Sequence, residues 1–155
     1  PNASVVMAAF LHGSPRGLRF SGPGLGAWYA STEVETAIIE VANGLRKELA
    51  LTSLRRLIAT YREYAAHLDG LYVDIRGRRP ELHQPDEGTY PTGQDFGEAV
   101  RADALLAGIA SESVRRPGHH NWVCFRPRLV LDVAQAGHFE LDVPRTGKVV
   151  VRRLP

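Results

Sequence analysis

An α+β fold is what the amino-acid sequence predicts, on three observations. A strong helical period runs from about Glu33 to about Lys47, and a second helical pattern covers Gln94 to Leu106. After that the chain breaks into short apolar runs separated by Pro or Gly turns, which suits clustered strands rather than alternating βαβ units. With 155 residues, 44% hydrophobic and 23% charged, residues 1–155 are expected to form one domain, large enough to bury roughly two thirds of the unfolded surface.

In chain order, Val5-Val6-Met7-Ala8-Ala9-Phe10 reads as a buried strand, and His12 to Gly17 as a punctuated loop. Glycines at 17, 22, 24 and 26 precede the next strand, Ala27 to Ala30. A phosphate-cradling loop would instead place its glycines between a strand and a helix N-terminus, so a Walker or Rossmann loop is rejected. Thr32-Glu33-Val34-Glu35 has capping-box spacing, and Val34, Ala37, Ile38, Val41, Ala42 and Leu45 follow at helical intervals. Glu40 then shares a polar face with Glu33, Thr36 and Asn43, and periodicity alone reads it as solvated.

Residues 48–68 admit helix or strand. Asp69-Gly70, between Tyr61–Leu68 and Leu71–Ile75, favours a hairpin of two strands. Arg76 to Thr92, with three prolines, reads as a surface loop whose Thr92 caps the second helix. Strands are expected at Gly108–Ala110, Asn121–Phe125, Leu129–Val133, Phe139–Val143 and Lys148–Arg152.

Several function classes are excluded. The net charge of +2 lacks the strongly basic stripe of a nucleic-acid binder, leaving anions up to dinucleotide size as plausible ligands. The lone Cys124 precludes an internal disulfide and suits a strand core. No apolar run approaches the ~18 residues that cross a bilayer and no leader is visible, so a bacterial cytoplasmic location is expected. The chain opens at Pro1 rather than at a methionine, which suggests a truncated N-terminus. There is no Gly-x-Ser-x-Gly elbow, Cys-x-x-Cys pair or His-Glu-x-x-His helix. The adjacent His119-His120 falls in a Pro-Gly turn, and no metal site is assigned.

Six blocks stand out in order. They are Ala8-Ala9-Phe10-Leu11-His12, Gly17-Leu18-Arg19-Phe20-Ser21, Trp28-Tyr29-Ala30, Glu35-Thr36-Ala37-Ile38-Ile39-Glu40, Val73-Asp74-Ile75-Arg76-Gly77, and Ser113-Val114-Arg115-Arg116-Pro117-Gly118 followed by Cys124-Phe125-Arg126-Pro127. Together they resemble the RES domain family of bacterial toxins, named for an arginine, a glutamate and a serine. The resemblance implies an ADP-ribosyltransferase-like fold: a split, mixed, mostly antiparallel sheet with flanking helices and a cleft that takes NAD as substrate, without a metal. It implies Arg19, Glu40 and Ser113 as catalytic residues, with His12, Arg19, Tyr29, Ser113 and Arg115 holding NAD. The implied enzyme is a mono-ADP-ribosyltransferase or an NAD glycohydrolase or phosphorylase. The implied partner is an Xre-type antitoxin that blocks the active site, with a protein target of ADP-ribosylation as a further possibility. Ser111-Glu112 and His119-His120 depart from the family pattern around Ser113.

The chemistry suits those residue types. Cleaving the nicotinamide–ribose bond builds oxocarbenium character, which a carboxylate at Glu40 stabilises. Arg19 offers a planar donor fork for pyrophosphate or ribose oxygens. Tyr29 can lay its ring against nicotinamide, while Ser113 and Arg115 supply polar contacts. Each residue also has an ordinary reading: a solvated helix glutamate, a surface-paired loop arginine, a sheet tyrosine, a strand-ending serine and a loop-anchoring His12. Two further functions stay open, a binding module without turnover and a ribonuclease using His12 with another histidine.

Overall fold

A computed structural model describes residues 2–155; the expectation of a truncated N-terminus turns on Pro1, outside them. Helix α1 (Ala3–Leu11) is followed by β1 (Trp28–Ser31), α2 (Val34–Ala50), β2 (Arg56–Leu68), β3 (Leu71–Asp74), α3 (Tyr90–Ala102), β4 (Leu106–Glu112), β5 (His120–Cys124), β6 (Val130–Pro144) and β7 (Val150–Arg153). Two sheets form, ordered β1-β5-β4-β3 and β2-β6-β7. All pairings are antiparallel except β3 with β4, so the mixed, mostly antiparallel α+β architecture is as expected.

The first sheet is covered on both faces. One face packs Ile109, Val123 and Ile75 against Phe20, Leu82 and Val100. The opposite face packs Trp28 and Cys124 against Val6 of α1 and Val130, so Cys124 is a core residue. Helix α2 lays Ile38, Ala42 and Leu45 on Leu141 and Val143 of the second sheet. Burying side chains such as Leu141 and Val143 completely contributes about 1.5 to 3 kcal/mol each. With its apolar stripe committed to the second sheet, α2 turns Thr36 and Glu40 toward the end of the first.

Several sequence expectations are corrected. Val5–Phe10 is helical rather than a strand; a short apolar run fits either element, and Ala and Met favour helix once Val6 packs on Trp28. Asp69-Gly70 does not close a hairpin, because β2 pairs with β6 while β3 joins the other sheet beside β4. At that crossing Gly70 has φ +100, and a Cβ there would press on Ala107 and Leu129. Helix α3 spans Tyr90–Ala102, and Leu106 opens β4 instead. Leu129–Val133 and Phe139–Val143, read as two strands, merge into one long β6, Val130–Pro144, whose pairing with β2 shifts register between Arg62 and Tyr64 and between Ala65 and His67.

The 76–92 stretch is also more ordered than a surface loop. It holds 3-10 turns at Pro80–Leu82 and Glu87–Thr89, and Leu82 enters the core. His120 begins β5 rather than lying in a turn. Neither expected cap is made: Glu33 and Thr89 occupy the N-cap positions of α2 and α3, without side-chain capping bonds.

Candidate functional site

Strand register gathers polar residues at one end of the first sheet. Ser31 lies opposite Asn121, and Asn121 opposite Ser111. Directly paired residues project from the same face, so Ser31, Asn121 and Ser111 share the face that carries Tyr29, Val123 and Ile109. Ser113 follows just beyond β4.

Glu40 meets this polar end. Its Oε1 accepts from Ser113 Oγ at 2.6 Å and from Asn121 Nδ2 at 2.9 Å. Asn121 is itself oriented by Ser31, whose hydroxyl donates to Oδ1 at 2.6 Å. Glu40 is therefore half-buried, not solvated as periodicity alone suggests. Among the described residues, Oε2 has no hydrogen-bond partner and stays open to a ligand. Ser113 is buried at 2% exposure and also accepts from the Arg116 backbone N–H at 3.0 Å. It thus ends the strand and holds the carboxylate at once.

Arg116 clamps the following loop to the start of α2. Its guanidinium bonds Glu33, reaches Thr36 Oγ1 at 2.9 Å and reaches Glu35 at 2.7 Å. That contact, with His119 beside it, holds the Glu33 carboxyl below its ordinary range. His83 ties the facing loop down by accepting from the Glu112 backbone N–H at 3.2 Å.

Arg19 approaches from the loop before β1. Its Nη1 donates to the carbonyls of Leu82 at 3.2 Å and Gln84 at 2.6 Å, and the guanidinium lies 5.2 Å from the Tyr90 ring centroid. Nη2 and Nε make no hydrogen bond among the described residues, which leaves donors for an anion. Burial lowers its pKa, while Tyr90, Glu40 and Tyr29 raise it and Arg115 lowers it through space. Arg115 is fixed by a 3.2 Å bond to the Pro85 carbonyl. Lys47, two turns along α2 from Glu40 on the same helix face, lies 5.1 Å from the same Tyr90 ring and pairs with Glu87 at 2.7 Å.

Tyr29 has a second job. Its hydroxyl lies 3.0 Å from Ser21 Oγ and accepts from the Phe20 N–H at 3.3 Å, pinning the segment that carries Arg19. The residue is 37% exposed, yet its phenol oxygen is closed in, and burial pushes its pKa up to about 12. Above pH 10 the unfolded phenol ionises while the folded one stays protonated, so this linkage erodes stability between pH 10 and about 12. Tyr29→Phe makes that alkaline slope shallower in denaturant melts, with Tyr61 and Tyr72, also raised by burial, supplying the remainder, and at neutral pH it costs about 1 to 3 kcal/mol because the buried Phe20 N–H loses its acceptor. An unchanged alkaline slope refutes the assignment.

Two cavities flank this region. One of about 450 Å³ is lined by His12, Ser14, Leu18, Trp28, Tyr29 and Tyr64. Another of about 520 Å³ runs between α2 and β2, lined among others by Tyr29, Ile38, Tyr61 and Trp122. Tyr29 borders both; Arg19, Glu40, Ser113 and Arg115 border neither. His12 is exposed at the first cavity, and no contact joins it to Glu40.

The sequence reading misses Ser31, Asn121, Lys47 and Tyr90. Asn121 carries no motif signal, being one polar residue in a strand, and only the pairing with Ser31 reveals its direction. Among the described residues no group of three or more His, Cys, Asp or Glu could hold a metal ion, and no helix is long and apolar enough to cross a membrane. No curated protein matches the chain. The model of the RES domain family matches residues 1–144, which takes in Arg19, Tyr29, Glu40, Ser113 and Arg115. The chain therefore belongs to the RES domain family, a family associated with toxin-antitoxin pairs and with enzymes that act on NAD.

Proposed function

We propose that this protein is the toxin of a bacterial toxin-antitoxin pair and cleaves NAD at the nicotinamide–ribose bond. The reading rests on a carboxylate anchored through one oxygen whose other oxygen has no hydrogen-bond partner among the described residues, and on an arginine whose Nε and Nη2 are likewise unpaired there. In the reaction the ribose C1′–N bond breaks and its electron pair leaves with nicotinamide, neutralising the ring nitrogen. Positive charge develops on the sugar, where Glu40 stabilises it. The leaving group is already cationic, so no strong general acid is required. An acceptor oxygen then bonds to C1′ and releases its proton.

Arg19 supports the pyrophosphate or ribose oxygens through its free donors, and Arg115 adds a second polar contact to the dinucleotide. Tyr29 borders the nicotinamide end, and Ser113 holds Glu40. Water, inorganic phosphate or a protein side chain can serve as acceptor, giving a glycohydrolase, a phosphorylase or an ADP-ribosyltransferase on an ADP-ribosyltransferase-like scaffold. The partner in this reading is an Xre-type antitoxin whose terminus fills the cleft, and the setting is the bacterial cytoplasm, where NAD is available.

Purified protein incubated with NAD is expected to release nicotinamide, read by chromatography. NAD labelled in the adenylate half and added to clarified lysate then distinguishes a labelled protein band from a small-molecule product. A folded protein that releases no nicotinamide refutes the cleavage reading. A binding module without turnover is favoured by one observation, that the two cavities border Tyr29 and not Glu40. In that case calorimetry detects NAD binding while no nicotinamide appears.

A further inference from the structure

We propose that Asn121 is a positioning residue for Glu40, the middle of a chain running Ser31–Asn121–Glu40–Ser113 that fixes which carboxylate oxygen faces the substrate. This rests on the NAD-cleaving reading above. Both donors converge on Oε1, so rotation of the carboxylate is blocked from two sides and Oε2 alone is presented. An isolated amide could turn either end toward Glu40. Here the Ser31 hydroxyl donates to Oδ1 at 2.6 Å, which leaves only Nδ2 to face the carboxylate.

The placement is rigid. Asn121 lies in β5, hydrogen-bonded between β1 and β4, and Ser31 is its register partner on β1. A side chain on a central strand holds position better than one on a loop. Ser113, the other anchor, lies in the loop clamped by Arg116. The carboxylate on α2 is thus held against the first sheet from two independent elements. The arrangement predicts an order of effects: Asn121→Asp worst, because an acceptor-only carboxylate then faces Glu40; Asn121→Ala intermediate; Ser31→Ala mildest, because the amide survives and only its orientation loosens.

The test is steady-state nicotinamide release by the full chain, with kcat and KM separated. Asn121→Ala is expected to lower kcat by roughly 10- to 100-fold with KM for NAD changed by less than about two-fold, as for other residues that orient a reacting group. In a Glu40→Ala background the same substitution has no further effect. A 15N spectrum of the wild type reads the Asn121 side-chain amide without NAD, and that signal moves in Glu40→Ala. Equal kcat in wild type and Asn121→Asp, or an amide signal indifferent to Glu40→Ala, overturns the positioning role. Failure of the reading beneath it looks different: the wild type itself then releases no nicotinamide.

Discussion

On the proposed NAD-cleaving reading, Glu40→Gln is expected to lower the rate of nicotinamide release by about 10²- to 10³-fold, equivalent to roughly 2.7 to 4 kcal/mol of transition-state stabilisation, while the protein keeps its fold. The separation of the two effects comes from the geometry. Ser113 and Asn121 both donate to Oε1, so the carbonyl oxygen of glutamine accepts the same two bonds. What changes is the other atom: a negatively charged, accepting oxygen becomes a neutral, donating NH₂. The group proposed to face developing positive charge on ribose is then lost without disturbing the anchor. Melting temperature is expected to move little. Glu40→Ala behaves differently, stranding a half-buried amide and a buried hydroxyl at a cost of about 1 to 3 kcal/mol. Nicotinamide release at the wild-type rate by Glu40→Gln would remove Glu40 from the chemistry.

What could be seen in the sequence tracks how locally each feature is determined. Helix α2 is legible because its apolar stripe repeats at helical intervals and buries on one surface, Leu141 and Val143. The sheet pairing is not. Asp69-Gly70 carries a strong local hairpin signal, yet Asp69 N–H bonds Leu129 O and the chain passes from one sheet to the other. A tertiary choice overrides a local preference there. The α1 helix illustrates the same limit from the other side, since Val5 to Phe10 is too short and too apolar for its period to declare itself.

The candidate site divides along the same line. Arg19, Tyr29, Glu40 and Ser113 can be singled out because a family pattern names them, whereas the physics of Glu40 alone points to solvent. Thr36 and Glu40 lie on a polar helix face, and a polar face ordinarily meets water. Here it meets the polar end of a sheet, where Asn121, Ser113 and the Arg116 clamp supply partners. Such a meeting of two polar surfaces leaves no hydrophobic signature in either strand of sequence. The contact between Arg19 and Tyr90 is equally hidden, 71 residues apart and carried by an arginine that also satisfies two loop carbonyls.

Gly97→Ala is expected to destabilise the protein by about 2 kcal/mol or more and to weaken the proposed NAD cleavage, although alanine is the better helix former. A Cβ built on Gly97 lies 2.0 Å from Phe20 O, 2.7 Å from its carbonyl carbon and 3.0 Å from its Cα. All three are backbone atoms, so no side-chain rotation relieves the contact. One turn earlier, Gly93 meets Arg19 O in the same way at 2.4 Å. Helix α3 therefore uses two glycines to let the Arg19–Phe20 backbone lie directly on it. Alanine gains about 1 kcal/mol of helix propensity, but overpacking typically costs 1 to 3 kcal/mol, and an immovable backbone oxygen puts this site at or beyond the upper end. The segment must lift, pulling Phe20 from its contacts with Val100 and Leu82 and drawing Arg19 off the carbonyls of Leu82 and Gln84. Gly44→Ala, on the open side of α2 with nothing within 4 Å of the new methyl, is the matched control and is expected to stabilise by about 0.5 to 1 kcal/mol. Denaturant melts of the two variants read opposite signs from one chemical change. If both stabilise, the close approach of α3 to the Arg19–Phe20 backbone is wrong, and the seating of Arg19 against that helix loses its support.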